Sequence, residues 1–104
     1  MSKNEDVDIA RNIKIIEWLK TDLITSISAL FRALLRGSED RMLDALASLV
    51  LTCYVLSRRL GISFSRLDLK MEAKLRQGIE EGHEVEKANG DLSRLLGYLV
   101  EKKR

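Results

Sequence analysis

Apolar residues recur at Ile9, Ile13, Ile16, Leu19, Leu23, Ile27, Leu30 and Leu34, three or four positions apart, as on one face of a helix. The pattern runs to Gly37, which reads as a C-terminal cap. One helix over that whole span would be unusually long for so small a protein. Thr21-Asp22 offers an N-cap in its middle, so a break near residues 20–22 is expected, giving helices at roughly 6–20 and 22–36. Ser38-Glu39-Asp40 restarts the chain, with a capping hydroxyl and two acids that complement the helix dipole. This third helix is expected over 38–60, stopping at Gly61. Ser63 caps a fourth, over 63–82, with Phe64, Leu67, Met71 and Leu75 facing inward and Gly78 and Gly82 weakening it. Ala88-Asn89-Gly90 reads as a turn before a last helix over 91–101, and the charged tail Glu101–Arg104 is expected to fray. Nothing alternates with the period of a strand, and no repeat or low-complexity segment occurs. The expectation is a single all-α domain over 1–104, a bundle of four to five helices.

The third helix departs from the amphipathic pattern. From Ala45 to Leu56 it is apolar almost all round, whereas a surface helix keeps one polar face. One layer of partner helices in a 104-residue chain cannot cover every side of it. A homo-oligomer, dimer or tetramer, formed through helix 38–60 is the simplest arrangement that buries it.

Composition narrows the class. The 104 residues include no proline, where about five would be average. Proline is what helix interiors exclude most strongly, so its absence agrees with the helical pattern. Eighteen basic residues against sixteen acidic ones leave a net charge of +2, which argues against a dedicated nucleic-acid binder. A single cysteine forms no internal disulfide, and the charged start Met-Ser-Lys-Asn-Glu-Asp lacks the apolar core of a signal peptide. The longest apolar stretch, Ala45–Leu56, falls short of the roughly twenty residues a membrane span needs. A cytoplasmic protein without membrane association is expected.

Three segments carry a resemblance. Arg32-Ala33-Leu34-Leu35-Arg36-Gly37, the acidic cap after it, and a helix ending Ser57-Arg58-Arg59-Leu60-Gly61-Ile62 before a lysine-bearing helix resemble the MazG-like branch of the all-α nucleotide pyrophosphohydrolases. The likeness covers about Thr21 to Arg76, and Trp18 fits it too. It implies four-helix units that assemble into dimers or tetramers. It also implies hydrolysis of nucleoside triphosphates between the α and β phosphates, with Mg²⁺ held by carboxylates on two adjacent helices. In such proteins one helix carries Glu-Glu-x-x-Glu and the next Glu-x-x-Asp. Residues three and four apart share a helix face, so both motifs aim oxygens into one cleft, and magnesium requires such hard ligands.

Here the motif is empty. Alignment through Ala33–Gly37 puts the first set of acids at Thr25, Ser26 and Ala29; alignment through Arg59–Ile62 puts the second at Ala45 and Ser48. All five carboxylates are missing. Asp44 lies one residue off an expected position, a rotation of about 100° on a helix. Asp22 lies one turn early, and Asp40 pairs with Asp44 at i,i+4. These three are the acids available to a relocated metal site. Thr25, Ser26, Ser28, Ser48 and Thr52 instead form a neutral, hydroxyl-bearing set. It reads either as closed helix packing, with hydroxyls bonded back to the preceding turn, or as a retained pocket for a nucleoside.

The expectation is therefore a binding or scaffold module of nucleotide metabolism, without catalysis, metal or cofactor. The alternative is a weak Mg²⁺-dependent pyrophosphohydrolase using Asp22, Asp40 and Asp44. If phosphate is bound, the resemblance points to Arg59, Lys70 and Lys74, although Arg66, Lys70 and Lys74 also read as a solvated stripe relieved by Asp68 and Glu72. His83 has no second histidine or cysteine pair for zinc. Cys53, Trp18 and Phe31 read as core.

Overall fold

A computed structural model describes residues 3–102, with side chains from residue 8 onward. Its five helices are α1 (Lys3–Arg36), α2 (Glu39–Arg59), α3 (Phe64–Glu80), α4 (Glu84–Asn89) and α5 (Asp91–Lys102). No strand occurs among the described residues, so the all-α expectation holds. Lys103 and Arg104, the end of the charged tail, lie outside the described residues.

The expected break at residues 20–22 is absent, because α1 is one helix of 34 residues. The residues read as a cap instead strengthen its middle. The Thr21 hydroxyl donates to the Glu17 carbonyl one turn back, at 3.2 Å. Lys20 pairs with Glu17 at 2.9 Å across the same turn. Thr21 therefore closes the preceding turn rather than opening a new helix.

The α1–α2 hairpin follows a coiled-coil spacing. Asn12, Ile16, Leu19, Leu23, Ser26, Leu30 and Ala33 are the buried or half-buried positions of α1 at alternating steps of four and three. Met42, Ala45, Leu49, Thr52 and Leu56 match them on α2. The small residues Ala33 and Ala45, 1% and 3% exposed, let the helix backbones approach near the bend. At the other end the Asn12 side-chain amide donates to the Arg59 carbonyl at 3.1 Å, tying the start of α1 to the end of α2.

Both ends of α2 are set locally. At the bend, Gly37 takes φ +66°, and the Gly37 and Ser38 amides donate to the Leu34 and Ala33 carbonyls at 3.3 and 3.2 Å. The Ser38 hydroxyl then caps α2 by accepting from the Arg41 amide at 3.4 Å. The Leu60-Gly61-Ile62 segment repeats the closing pattern. Gly61 takes φ +85°, while the Gly61 and Ile62 amides donate to the Arg58 and Ser57 carbonyls at 3.0 and 2.9 Å. The Ser57 hydroxyl also donates to the Ile62 carbonyl at 3.1 Å. Phe64 then meets Tyr54 edge-on, with ring centroids 5.9 Å apart, and lies under the Arg58 guanidinium at 5.8 Å.

The contacts divide the chain after Phe64 into two compact units. In the second unit Leu75 is buried, and Gly78 lies so close to Leu92 that a Cβ would sit 2.8 Å from its Cδ1. Gly78 thus serves packing against α5 rather than simply weakening α3. The helix expected over 63–82 is α3, which ends at Glu80, and α4 occupies part of the expected turn. His83 initiates α4, its Nδ1 accepting from the Val85 amide at 3.2 Å. Glu86 holds the next helix start: it accepts from the Ser93 hydroxyl and, at 3.1 Å, from the Ser93 amide.

Candidate functional site

One flank of the hairpin carries most of the degenerate motif. A groove of about 390 Å³ is lined by Asp22, Thr25 and Ser26 from α1 and by Asp44, Ala47, Ser48, Leu51 and Thr52 from α2. Residues 22, 25 and 26 share a face within about one turn of α1, and 44, 48 and 51 share one over about two turns of α2. Ser26 and Thr52 are only 8% and 5% exposed, because they also occupy the helix–helix seam. Among the described residues, none of the Thr25, Ser26, Ser48 and Thr52 hydroxyls enters a hydrogen bond within the chain. Thr21 and Ser57, outside the groove, do bond to backbone carbonyls. The groove hydroxyls open onto the groove instead of returning to the preceding turn. Bonding back to the preceding turn therefore does not occur at these four hydroxyls, although Ser26 and Thr52 pack into the seam.

The remaining motif positions separate. Ala45 turns into the seam, and Ala29 lines an adjoining depression of about 250 Å³ with Arg32, Ala33, Arg36, Arg41 and Asp44. Asp22 and Asp44 border the same groove, whereas Asp40 lines a different depression with Arg41, Leu43, Asp44 and Ala47. Among the described residues, no three His, Cys, Asp or Glu side chains gather as metal ligands.

With this flank in view, the comparison with known proteins is decisive for the family. The model of the MazG-like family matches residues 9–92, most of the chain, including most of α1, all of α2 and the whole groove. The chain belongs to the MazG-like family. No curated protein and no solved structure matches it.

The MazG-like match runs across both compact units, so it includes the basic residues beyond the groove. Arg59 is exposed in the last turn of α2, its carbonyl engaged by Asn12. Lys70 and Lys74 are exposed one turn apart on α3, in the second unit. Sequence reasoning missed Arg32, Arg36 and Arg41 as one lining set. They lie four and five positions apart along the chain, and only the hairpin bend brings Arg41 beside the other two. The apolar wall of Ala47 and Leu51 was likewise hidden inside a helix read as uniformly apolar. Cys53, Trp18 and Phe31, read as core, are all exposed. The Lys14 ammonium instead lies over the Trp18 ring at 5.9 Å, and the two share a shallow apolar depression on α1 with Ala10, Arg11 and Ile15.

No described helix is long and apolar enough to cross a membrane.

Proposed function

We propose that this MazG-like protein is a non-hydrolytic binding or scaffold module of cytoplasmic nucleotide metabolism. One observation carries the reading: Thr25, Ser26, Ala29, Ala45 and Ser48 occupy the positions where the family resemblance places five metal carboxylates. Hydroxyls and methyl groups do not supply the hard anionic oxygens that hold magnesium on a phosphate substrate. The groove keeps its place between α1 and α2 and offers hydrogen-bonding groups beside an apolar wall. That is the chemistry of a site that binds without activating water. The protein works with neither metal nor cofactor, and as an assembly of identical copies joined through α2.

A second reading rests on Asp22 and Asp44, which border one groove. Two carboxylates and water could hold a magnesium ion on a triphosphate, making the protein a weak pyrophosphohydrolase. Pyrophosphate release from each common nucleoside triphosphate, with Mg²⁺ and with Mn²⁺, separates the two. The binding-module reading requires no metal-dependent release. Turnover that disappears on Asp44→Asn would establish the hydrolase instead.

A further inference from the structure

The outer face of α5 carries a charge pattern that is its own complement when reversed. Asp91, Arg94, Tyr98, Glu101 and Lys102 are all exposed on it, Tyr98 at 60% and the neighbouring Leu95 at 47%. None of the four charged residues forms an ion pair with a described residue. The Lys102 ammonium lies over the Tyr98 ring at 5.9 Å, so both side chains stand on this face. Leu92, Leu96 and Leu99, half-buried, occupy the other side of the helix.

At about 100° per residue, Asp91 and Lys102 project within about 20° of each other, and so do Arg94 and Glu101. Tyr98 falls between these two edges. Along the axis, Asp91 and Lys102 lie about 9 and 7.5 Å on either side of residue 97, and Arg94 and Glu101 about 4.5 and 6 Å. A second copy of the helix, antiparallel and related by a two-fold axis at residue 97, sets each edge against itself with its direction reversed. Asp91 then meets the partner's Lys102, and Arg94 meets the partner's Glu101. Each mismatch in height is about 1.5 Å, well within the reach of a lysine or arginine side chain. The two Tyr98 rings come together near the axis. Parallel packing would instead set like charges at the same height. The exposed stripe of Arg66, Lys70 and Lys74 on α3 is all of one sign, so it offers a copy of itself no such match.

We propose that α5 is a self-recognition helix, through which two copies of this chain pair antiparallel, with Tyr98 at the centre and the Asp91–Lys102 and Arg94–Glu101 pairs along the edges. The contact goes beyond the assembly through α2, and it belongs to the other compact unit of the chain. A helix of 12 residues makes a small contact, well below the roughly 1,200 Å² or more that stable interfaces bury. The pairing is therefore weak and salt-sensitive, with its direction set by charge. Where the hairpins also pair, two different two-fold contacts in one chain join dimers into a tetramer or a longer assembly.

The test is sedimentation equilibrium of the full-length protein at low salt, from micromolar to millimolar concentration. It is run in a Val50→Lys background, which places a charge on the exposed apolar flank of α2 and removes the hairpin contact. The expected result is a monomer at micromolar concentration and a dimer towards millimolar, which added salt dissociates. Arg94→Glu and Glu101→Arg, made singly, should each weaken the dimer by about tenfold or more, because each turns two symmetric attractions into repulsions. The two reversals combined in one chain exchange the signs of both partners and should restore it. Tyr98→Ala should weaken it in either charge arrangement. All these side chains are exposed, and an unchanged helical circular dichroism spectrum verifies folding. A protein that stays monomeric at millimolar concentration would overturn the proposal. So would a dimer that survives both single reversals, or a double reversal no stronger than the single ones. Assembly without the Val50→Lys change is scored separately, so a hairpin that does not pair leaves the α5 contact standing.

Discussion

Glu86 shows how one side chain can fix a local structure and make it depend on pH. The Ser93 hydroxyl first, and then the Ser93 backbone amide, hold its carboxyl below the ordinary carboxylate range. A carboxyl whose folded value is depressed binds fewer protons when folded. Its contribution to stability is therefore complete above the unfolded-state value of about 4.3 and is lost as pH falls through the lower folded value. Ser93→Ala removes the larger cause. The Glu86 resonance in an NMR titration should then move to higher pH, with the start of α5 losing amide protection in acid. A Glu86 midpoint identical in the two proteins would show that the Ser93 hydroxyl does not hold the carboxylate. Residue identity alone made much of the groove legible: Thr25, Ser26 and Ser48 could be placed by motif register and do line one surface. Ala45 could not, because which of two adjacent helix positions enters the seam depends on the partner helix. The Glu86–Ser93 contact was hidden for a related reason. It joins residues seven apart across a glycine turn that no helical period describes.

At the scale of elements, the length of α1 and the stops around α2 have different causes. The helix continues through Thr21 because the hydroxyl has a carbonyl within reach and the seam spacing passes through Leu19, Leu23 and Ser26 without a phase change. Sequence reading recognised the cap-forming residue types but could not tell that Thr21 would bond backward. Gly37 and Gly61 were legible, because a positive φ leaves few alternatives to glycine. Gly61→Ala should therefore destabilise the protein by about 1 kcal/mol, although nothing lies within 4 Å of the added Cβ. The cost is in the backbone, not in a clash. Thermal unfolding followed by circular dichroism should show a midpoint lower by roughly 4–8 °C. An unchanged midpoint would mean that the Leu60-Gly61-Ile62 turn can relax to a negative φ. The seam offers a contrasting case. Thr52→Val keeps the shape and removes a hydroxyl that bonds nothing within the chain, so stability should hold or rise slightly. A loss above about 1 kcal/mol in denaturant unfolding would show that the hydroxyl has a structural water or ligand as partner.

For the whole molecule, the weight of unburied apolar surface is what remains to be explained. The groove flank of the hairpin is polar, but the opposite flank presents Ile27, Phe31 and Leu34 from α1 with Leu46 and Val50 from α2, all exposed. These recur at steps of four and three on α1 and at a step of four on α2, so each set lies along one helix face. A soluble chain that exposes such a stripe in isolation would aggregate or find a partner. A second hairpin offers the same spacing, and packing like on like gives the self-complementary contact of a two-fold dimer. Sequence reading assigned this role to α2 alone, since its apolar run was visible in one segment. The contribution of α1 was masked because Ile27 and Leu34 were read on one helix face with Ile16, Leu19 and Leu23. Val50→Lys, or Leu46→Glu, places a charge at the centre of the stripe without touching the groove. Either change should convert an oligomer into a monomer, measured by light scattering over a range of concentrations. A wild-type protein already monomeric at micromolar concentration would remove the stripe from any role in self-association.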